Sequence, residues 1–290
     1  MVNGDTRMAL LLVIARALCL VTIFATSGCT RFFFMPQQEL VRTPAEIGLD
    51  FEDVYFKSSD DVQLHGWWLP AEKSAQGTII FFHGNAENIS THIASVYWLP
   101  AAGFNVFMMD YRGYGLSAGE VSLPGVHADA IAALRVVMER TDIDTSQVAV
   151  LGQSLGAAVS IYAVAHSPYR LRFKALIADS AFASYRQIAR EKLGSLWLTW
   201  PFQWPLALTI SDEFSPVNSV AQIAPVPVLI IHGAGDQVIP IEHARQVFAI
   251  ANQPKALWEI PNAQHIQALG QVETRQRMIE YLTDAMRRAE

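Results

Sequence analysis

The run Gly152-Gln153-Ser154-Leu155-Gly156 sets a serine between two glycines, the spacing of a sharp turn from a strand into a helix. At such a turn the hydroxyl stands clear of the backbone, and Gly152 and Gly156 spare the neighbouring Cβ atoms a clash. The helix start behind it presents the Leu155 N–H and a positive dipole end to a developing oxyanion. A serine hydroxyl is a weak nucleophile, so the chemistry needs an imidazole to take its proton and an acid to orient that imidazole. Behind an elbow of this kind the partners follow in the order serine, acid, histidine. Of the chain's eight histidines, that order leaves His232, His243 and His265.

His265 comes just past the apolar run 257–260, and Asp236 lies in the loop after the run 228–231. His232 comes too early and His243 falls in a helical stretch, so both read as structural. The expected set is therefore Ser154 as nucleophile, His265 as base and Asp236 as acid, with Asp179, at the end of Ile177-Ala178-Asp179, as the competing acid. A second oxyanion donor should come from His83-Gly84-Asn85-Ala86, with the Asn85 amide as the first candidate; His83 itself reads as a structural histidine. No metal or cofactor is called for by this set.

These residues need a frame. Short apolar runs bounded by Gly, Pro, Asp or His recur at 78–82, 105–110, 147–151, 174–178, 228–231 and 257–260. Helical stretches at 89–99, 127–140 and 155–166 separate several of them. Two β-rich runs, 53–58 and 63–69, flank Ser59-Asp60-Asp61, a hairpin signal. Near-continuous apolar strands with helical crossovers predict an α/β fold: a mostly parallel central sheet with helices on both faces. In such sheets chemistry collects beyond the carboxyl ends of the strands, where every residue of the expected set falls.

The chain has 290 residues, 51% hydrophobic and 17% charged, with a formal net charge of -6. That length allows one large domain or two small ones, and the composition excludes disorder, collagen and coiled coil. No long Lys/Arg run marks a nucleic-acid binder. Two cysteines, Cys19 and Cys29, exclude a disulfide scaffold. Both fall in the first thirty residues, where Arg7 and Arg16 precede the apolar run 17–25 and then Thr26-Ser27-Gly28-Cys29. This is the pattern of a secretory signal, residues 1–28. Its apolar core reaches about 13 Å as a helix, well short of a bilayer's roughly 30 Å hydrocarbon core. The ending resembles a bacterial lipobox, apart from Thr26, and implies Cys29 as a lipidated first residue. The alternative is an uncleaved anchor helix. Either way residues 29–49 read as a tether, residues 50–290 as the folded domain, and the location as exported and membrane-anchored in a bacterial cell envelope.

With these motifs in hand, residues 53 to the C-terminus resemble the alpha/beta-hydrolase superfamily. The resemblance rests on His83 to Ala86, on Asp110-Tyr111-Arg112-Gly113-Tyr114-Gly115, on the elbow at Ser154, and on His232 to Pro240 with Asp236 inside it. It is to the branch of small serine hydrolases that includes membrane-associated members and relatives of protein depalmitoylases. It implies the same triad, the Asn85 and Leu155 amides as oxyanion donors, and a cap insertion at about 185–215. Gly156-Ala157-Ala158 departs from it, since many relatives carry a second glycine there. Asp110 to Gly115 reads as structural, with Arg112 pairing to Asp110 or capping a helix.

Within the expected cap, residues 195–208 carry Trp197, Trp200 and Trp204 and no charged residue. This segment reads either as ordinary core or as an apolar lid that lines an acyl pocket or touches lipid. A tethered enzyme with such a lid suits a small-molecule or acylated ester or thioester. A serine peptidase, an acyltransferase and an inactive envelope scaffold are the alternatives on the same fold. The sequence is silent on oligomeric state.

Overall fold

The computed structural model describes residues 34–195 and 197–287. The signal segment and Cys29 lie outside the described residues. Eight strands form the main sheet: β1 (Glu52–Lys57), β2 (Gln63–Leu69), β3 (Gly77–Phe82), β4 (Phe104–Asp110), β5 (Val148–Gln153), β6 (Phe173–Asp179), β7 (Val228–Gly233) and β8 (Lys255–Ile260). Their spatial order is β8-β7-β6-β5-β3-β4-β2-β1. The pairings β1–β2 and β2–β4 are antiparallel and the rest parallel. The helices are α1 (Ile89–His92), α2 (Leu123–Met138), α3 (Leu155–His166), α4 (Tyr185–Ser195), α5 (Gln203–Leu208), α6 (Pro216–Ser219), α7 (Ile241–Ile250) and α8 (Val272–Arg287). This is the alpha/beta-hydrolase architecture, with α4 and α5 inserted after β6.

The period-2 alternation of the strands splits the apolar residues between two cores. Ile80, Phe82, Val150, Leu176 and Ile230 face the α2–α3 side, while Ile79, Phe81, Leu151, Ile177 and Leu229 face the α8 side. Strands β3, β5 and β7 are buried at every residue, which is why they read as continuous apolar runs. Helix α2 begins four residues earlier than its apolar pattern, because the Ser122 side chain accepts the Gly125 N–H and Pro124 fits the first turn. The stretch 89–99 is one turn of α-helix capped by Asn88, then a 3-10 turn. Residues 34–49, expected as a tether, lie on the domain from Phe34 onward, with Met35-Pro36 pairing in parallel with Ala86-Glu87.

The two elbow glycines are contact points between α3 and the sheet. A methyl on Gly156 would land on the Phe82 and His83 carbonyls, and one on Gly152 would meet the Gly156 backbone and sit 2.6 Å from Ser160 Oγ. Gly156→Ala is expected to push α3 off the sheet at a cost of about 2 kcal/mol, lowering the melting temperature by roughly 5 °C. Gly270→Ala, where an added methyl meets nothing within 4 Å, is the control. Thermal melts that treat the two alike would show that this packing is not what the elbow glycines serve.

Candidate active site

Ser154 sits at the turn between β5 and α3 with φ 56° and ψ -116°, a conformation that costs a non-glycine residue of order 1–3 kcal/mol. It persists because both sides are held. The Ser154 N–H donates to Asp179 O at 2.8 Å, and the Ala157 and Ala158 amides return to Ser154 O. The hydroxyl is thereby aimed at the loop after β8. Ser154 Oγ lies 2.9 Å from His265 Nε2, and His265 Nδ1 lies 2.8 Å from Asp236 Oδ2. The three predicted residues, spread over 111 positions of chain, thus form one hydrogen-bonded line.

The two loops that carry Asp236 and His265 are fastened to each other. Ala234 N–H donates to Ile260 O and Gly235 N–H to Ala263 O, at 2.9 and 3.0 Å. Gly233 makes this approach possible, since a methyl there would sit on the Ala263 carbonyl. Asp236 Oδ1 accepts the Val238 and Ile239 amides at 2.8 and 2.9 Å. Burial pushes the Asp236 carboxyl up, but the bond to His265 and these two amides outweigh it and hold it below the usual carboxylate range. Asp236 therefore stays ionised and accepts the Nδ1 proton, which leaves Nε2 free to accept from the Ser154 hydroxyl.

Asp179 is a support beneath the line rather than a member of it. It is fully buried, accepts Gln153 Nε2 at 2.8 Å and Ser180 Oγ at 3.1 Å, and burial pushes it up to about 6. Ser180 Oγ in turn accepts the Ile266 N–H at 3.2 Å, tying the residue after His265 to the end of β6. Sequence reasoning misses Gln153 and Ser180 as supports. The one signal that could find them is their adjacency to Ser154 and Asp179 at neighbouring strand ends.

Asn85 follows Gly84, at which a methyl would sit 3.6 Å from Ser154 Cβ, so the loop after β3 passes directly beside the elbow. Leu155 heads α3, where an N–H has no partner within its own helix. Tyr114 Oη donates to Asn85 O at 2.7 Å and fixes this loop from the β4 side. His83 is buried and bonds Gly84 O through Nδ1 at 2.7 Å, which leaves Nε2 as an acceptor facing Asp110 Oδ1 at 3.4 Å. Burial drives Asp110 up to about 8 and His83 well below its ordinary value, so the two meet as neutral acid and neutral imidazole. Arg112 does not pair with Asp110 and caps no helix. Its guanidinium instead bridges Asp129 on α2, at 2.7 Å, and Asp60 in the β1–β2 turn, also at 2.7 Å. Geometry decides this: Asp110 points inward under the loop, and its second oxygen occupies the space where a Gly115 side chain would go.

His232 and His243 hold structure. His232 Nε2 bonds Ile239 O at 2.8 Å, closing the Asp236 loop. His243 accepts the Ala183 N–H and reaches Glu191 on α4 at 2.8 Å. Trp197, Trp200 and Trp204 are not core: they are 87%, 61% and 62% exposed. Among the described residues no group of His, Cys, Asp and Glu could hold a metal ion, and no helix is long and apolar enough to cross a membrane.

Residues 73–209 match the serine aminopeptidase family S33. The uncharacterized protein YfhR of Escherichia coli K12 is 38% identical over 244 residues, covering 81% of this chain and 81% of that protein. The alpha/beta hydrolase domain-containing protein WAV2 of Arabidopsis thaliana is 34% identical, covering 77% of this chain and 75% of its own. Among solved structures, the Pyrococcus furiosus esterase Pf2001 superposes with a TM-score of 0.69 at 24% identity, over 87% of this chain and 99% of that one. The chain belongs to the alpha/beta-hydrolase superfamily.

Two expectations separate the acids. Asp236→Asn should lower kcat on a chromogenic ester by about 10⁴-fold, since an amide cannot hold His265 in the needed tautomer. Asp179→Asn should leave most of it, and the reverse outcome would exchange their roles. For Asp110, the folded chain keeps a proton that the unfolded chain releases near 3.8, so stability from this group falls as pH rises from about 4 to about 8. Asp110→Asn, which cannot ionise, should gain on the wild type in melting temperature between about pH 5 and about pH 8. A constant gap across that range would show that Asp110 is already ionised in the folded protein.

Proposed function

We propose that this protein is a serine hydrolase that cleaves carboxylic esters or thioesters through an acyl-enzyme. The observation that carries the reading is the continuous hydrogen-bonded line from Ser154 Oγ through His265 to an ionised Asp236. In the first step Ser154 Oγ attacks the carbonyl carbon while His265 Nε2 takes its proton, and the Leu155 and Asn85 amides receive the oxyanion. The tetrahedral intermediate collapses, the C–O or C–S bond breaks, and His265 gives the proton to the departing alcohol or thiol. Water then attacks the acyl-enzyme with His265 again as base, releasing the acid and restoring Ser154. Asp236 does not itself take a proton; it stabilises the imidazolium.

An ester or thioester suits the site better than a peptide. An aminopeptidase needs a carboxylate to hold the substrate's ammonium group, and three acids near the strand ends are already engaged: Asp236 with His265, Asp179 with Gln153 and Ser180, Glu191 with His243. An acyl acceptor other than water would make the same acyl-enzyme a transferase, with no change in the residues used. An inactive scaffold would have no physical need to keep Ser154 strained and aligned with a base. For location, the signal-like segment and Cys29 support an exported protein held at a membrane of the cell envelope by a lipid anchor.

A fluorophosphonate probe tests the nucleophile. It should label the wild type and leave Ser154→Ala unlabelled, while His265→Ala should label at a rate lower by at least about 10³-fold. Equal labelling of Ser154→Ala would place the reactive serine elsewhere.

A further inference from the structure

The carboxyl edge of the sheet carries two features that point to the same kind of surface. The first is the turn after α4. From 197 to 208 the chain has no charged residue, and Trp197, Leu198, Trp200, Phe202, Trp204 and Leu208 are all exposed. Ala207 and then Ile210 are buried and hold the turn to the domain. Charge appears behind this face: on α4 Arg186 lies against Asp212 and the Glu191 carboxylate is bound to His243, while Arg190 and Lys192 stand beside the turn and Glu213 follows it. The Arg190 guanidinium lies over the Trp204 ring at 4.6 Å. Exposed indoles with an arginine stacked beside them are the composition of a surface that sits at the headgroup level of a bilayer.

The second feature is where the chain enters the domain. Gln37 O accepts the Gly115 N–H and the Asn88 Nδ2–H, and Met35-Pro36 pairs with Ala86-Glu87, so residues 34–37 lie on loops that follow β3 and β4. On the lipid-anchor reading Cys29 is joined to Phe34 by residues 30–33 alone, and a chain of that length reaches no more than about 18 Å. The cap leaves from β6, the entry strap lies beyond β3, and β5, which runs into Ser154, lies between them. Cap and entry strap thus both emerge along the carboxyl edge of the sheet, the edge that carries Ser154.

We propose that this edge is a membrane-docking face: the tryptophan-bearing turn of the cap seats in the interfacial layer of a lipid bilayer, and the site takes its ester from that layer. The inference rests on the serine hydrolase reading and gives it a substrate class, an acyl ester presented by a lipid surface. The indoles make no contact with the reacting groups; they set the height and tilt of the site above the bilayer.

The test uses the full chain reconstituted into phosphatidylcholine–phosphatidylglycerol vesicles. Brominated acyl chains should quench the wild-type tryptophan fluorescence and quench a variant with the three cap tryptophans changed to serine far less, since Trp67, Trp68 and Trp258 are buried, Trp98 is partly buried and the cap indoles are exposed. The triple change Trp197→Ser, Trp200→Ser and Trp204→Ser should lower turnover of 4-nitrophenyl palmitate held in the vesicles at least tenfold. Turnover of soluble 4-nitrophenyl acetate should stay within twofold, and the triple change to Phe should retain both. Absence of quenching in the wild type, or equal losses on the two esters with normal melting, would overturn the docking face. A wild type that sediments as a dimer in detergent while the Ser variant is monomeric would assign the face to a second copy and overturn it too. A wild type that turns over neither ester would instead sink the hydrolase reading, with the quenching result standing apart.

Discussion

The geometry of the site depends on one constrained residue, Ser154, held at positive φ where β5 turns into α3. A strained backbone at that point has to be over-determined by its neighbours, and the contacts that do so reach across the sheet. Gly152 and Gly156 let α3 close onto β3 and β5, so that the helix start stands directly over the strand end. Asp179 O takes the Ser154 N–H, and the same residue's carboxylate gathers Gln153 and Ser180. Ser180, itself at φ 56°, then holds Ile266, next to His265. Fixing the serine and fixing the imidazole are therefore one structural task, performed through the ends of adjacent parallel strands.

Three aspartates at this edge show how one side-chain type is put to different uses by its surroundings. Asp236 receives a histidine and two backbone amides, enough donors to keep it charged despite burial. Asp179 receives two side-chain donors and rises to about 6. Asp110 receives the Ile89 amide, keeps its second oxygen without a partner, and rises to about 8. The order follows both the count of donors and the depth of burial, since Asp236 is less deeply buried than the other two. On the proposed serine hydrolase reading an ionised acid is wanted only where an imidazolium is to be stabilised, and that is where the donors are concentrated.

Most of this was legible because strand ends and loop residues leave a linear trace. Continuous apolar runs marked β3, β5 and β7, and the residues immediately after β5, β7 and β8 named Ser154, Asp236 and His265. What could not be read was pairing between side chains brought together by the sheet. Arg112 and Asp129 are seventeen positions apart, and Asp110 meets His83 across β3 and β4, with nothing in either local sequence to announce the partner. The core-or-surface question at Trp197, Trp200 and Trp204 was equally undecidable from composition, since a run of indoles and leucines has the same hydropathy buried or bare. Pro201 and Pro205 gave the better clue: they keep the turn too short and irregular to lay an apolar stripe against the sheet.

The segment 34–41 was hidden for a different reason. Apart from Phe34 and Leu40, whose side chains pack on the two cores, it makes its contacts largely through backbone groups, which carry no sequence signature. Asn88 collects Gln37 O and Glu39 O with one amide nitrogen, and its oxygen accepts the Ser90 amide and hydroxyl; Ser90 Oγ accepts the Val41 N–H. These bonds satisfy polar groups on the outer side of the loop that begins at His83, while Tyr114 Oη on Asn85 O and His83 Nδ1 on Gly84 O satisfy carbonyls on the inner side. On the proposed reading this loop presents an amide to an oxyanion, and such a loop loses catalytic value if it can rotate, because the donor must already be aimed when charge develops. Backbone bonding on both sides removes that freedom without placing a bulky side chain near Ser154, where Gly84 keeps the approach open. The entry of the chain into the domain is thus a second fastening for the same loop that the fold already holds from within.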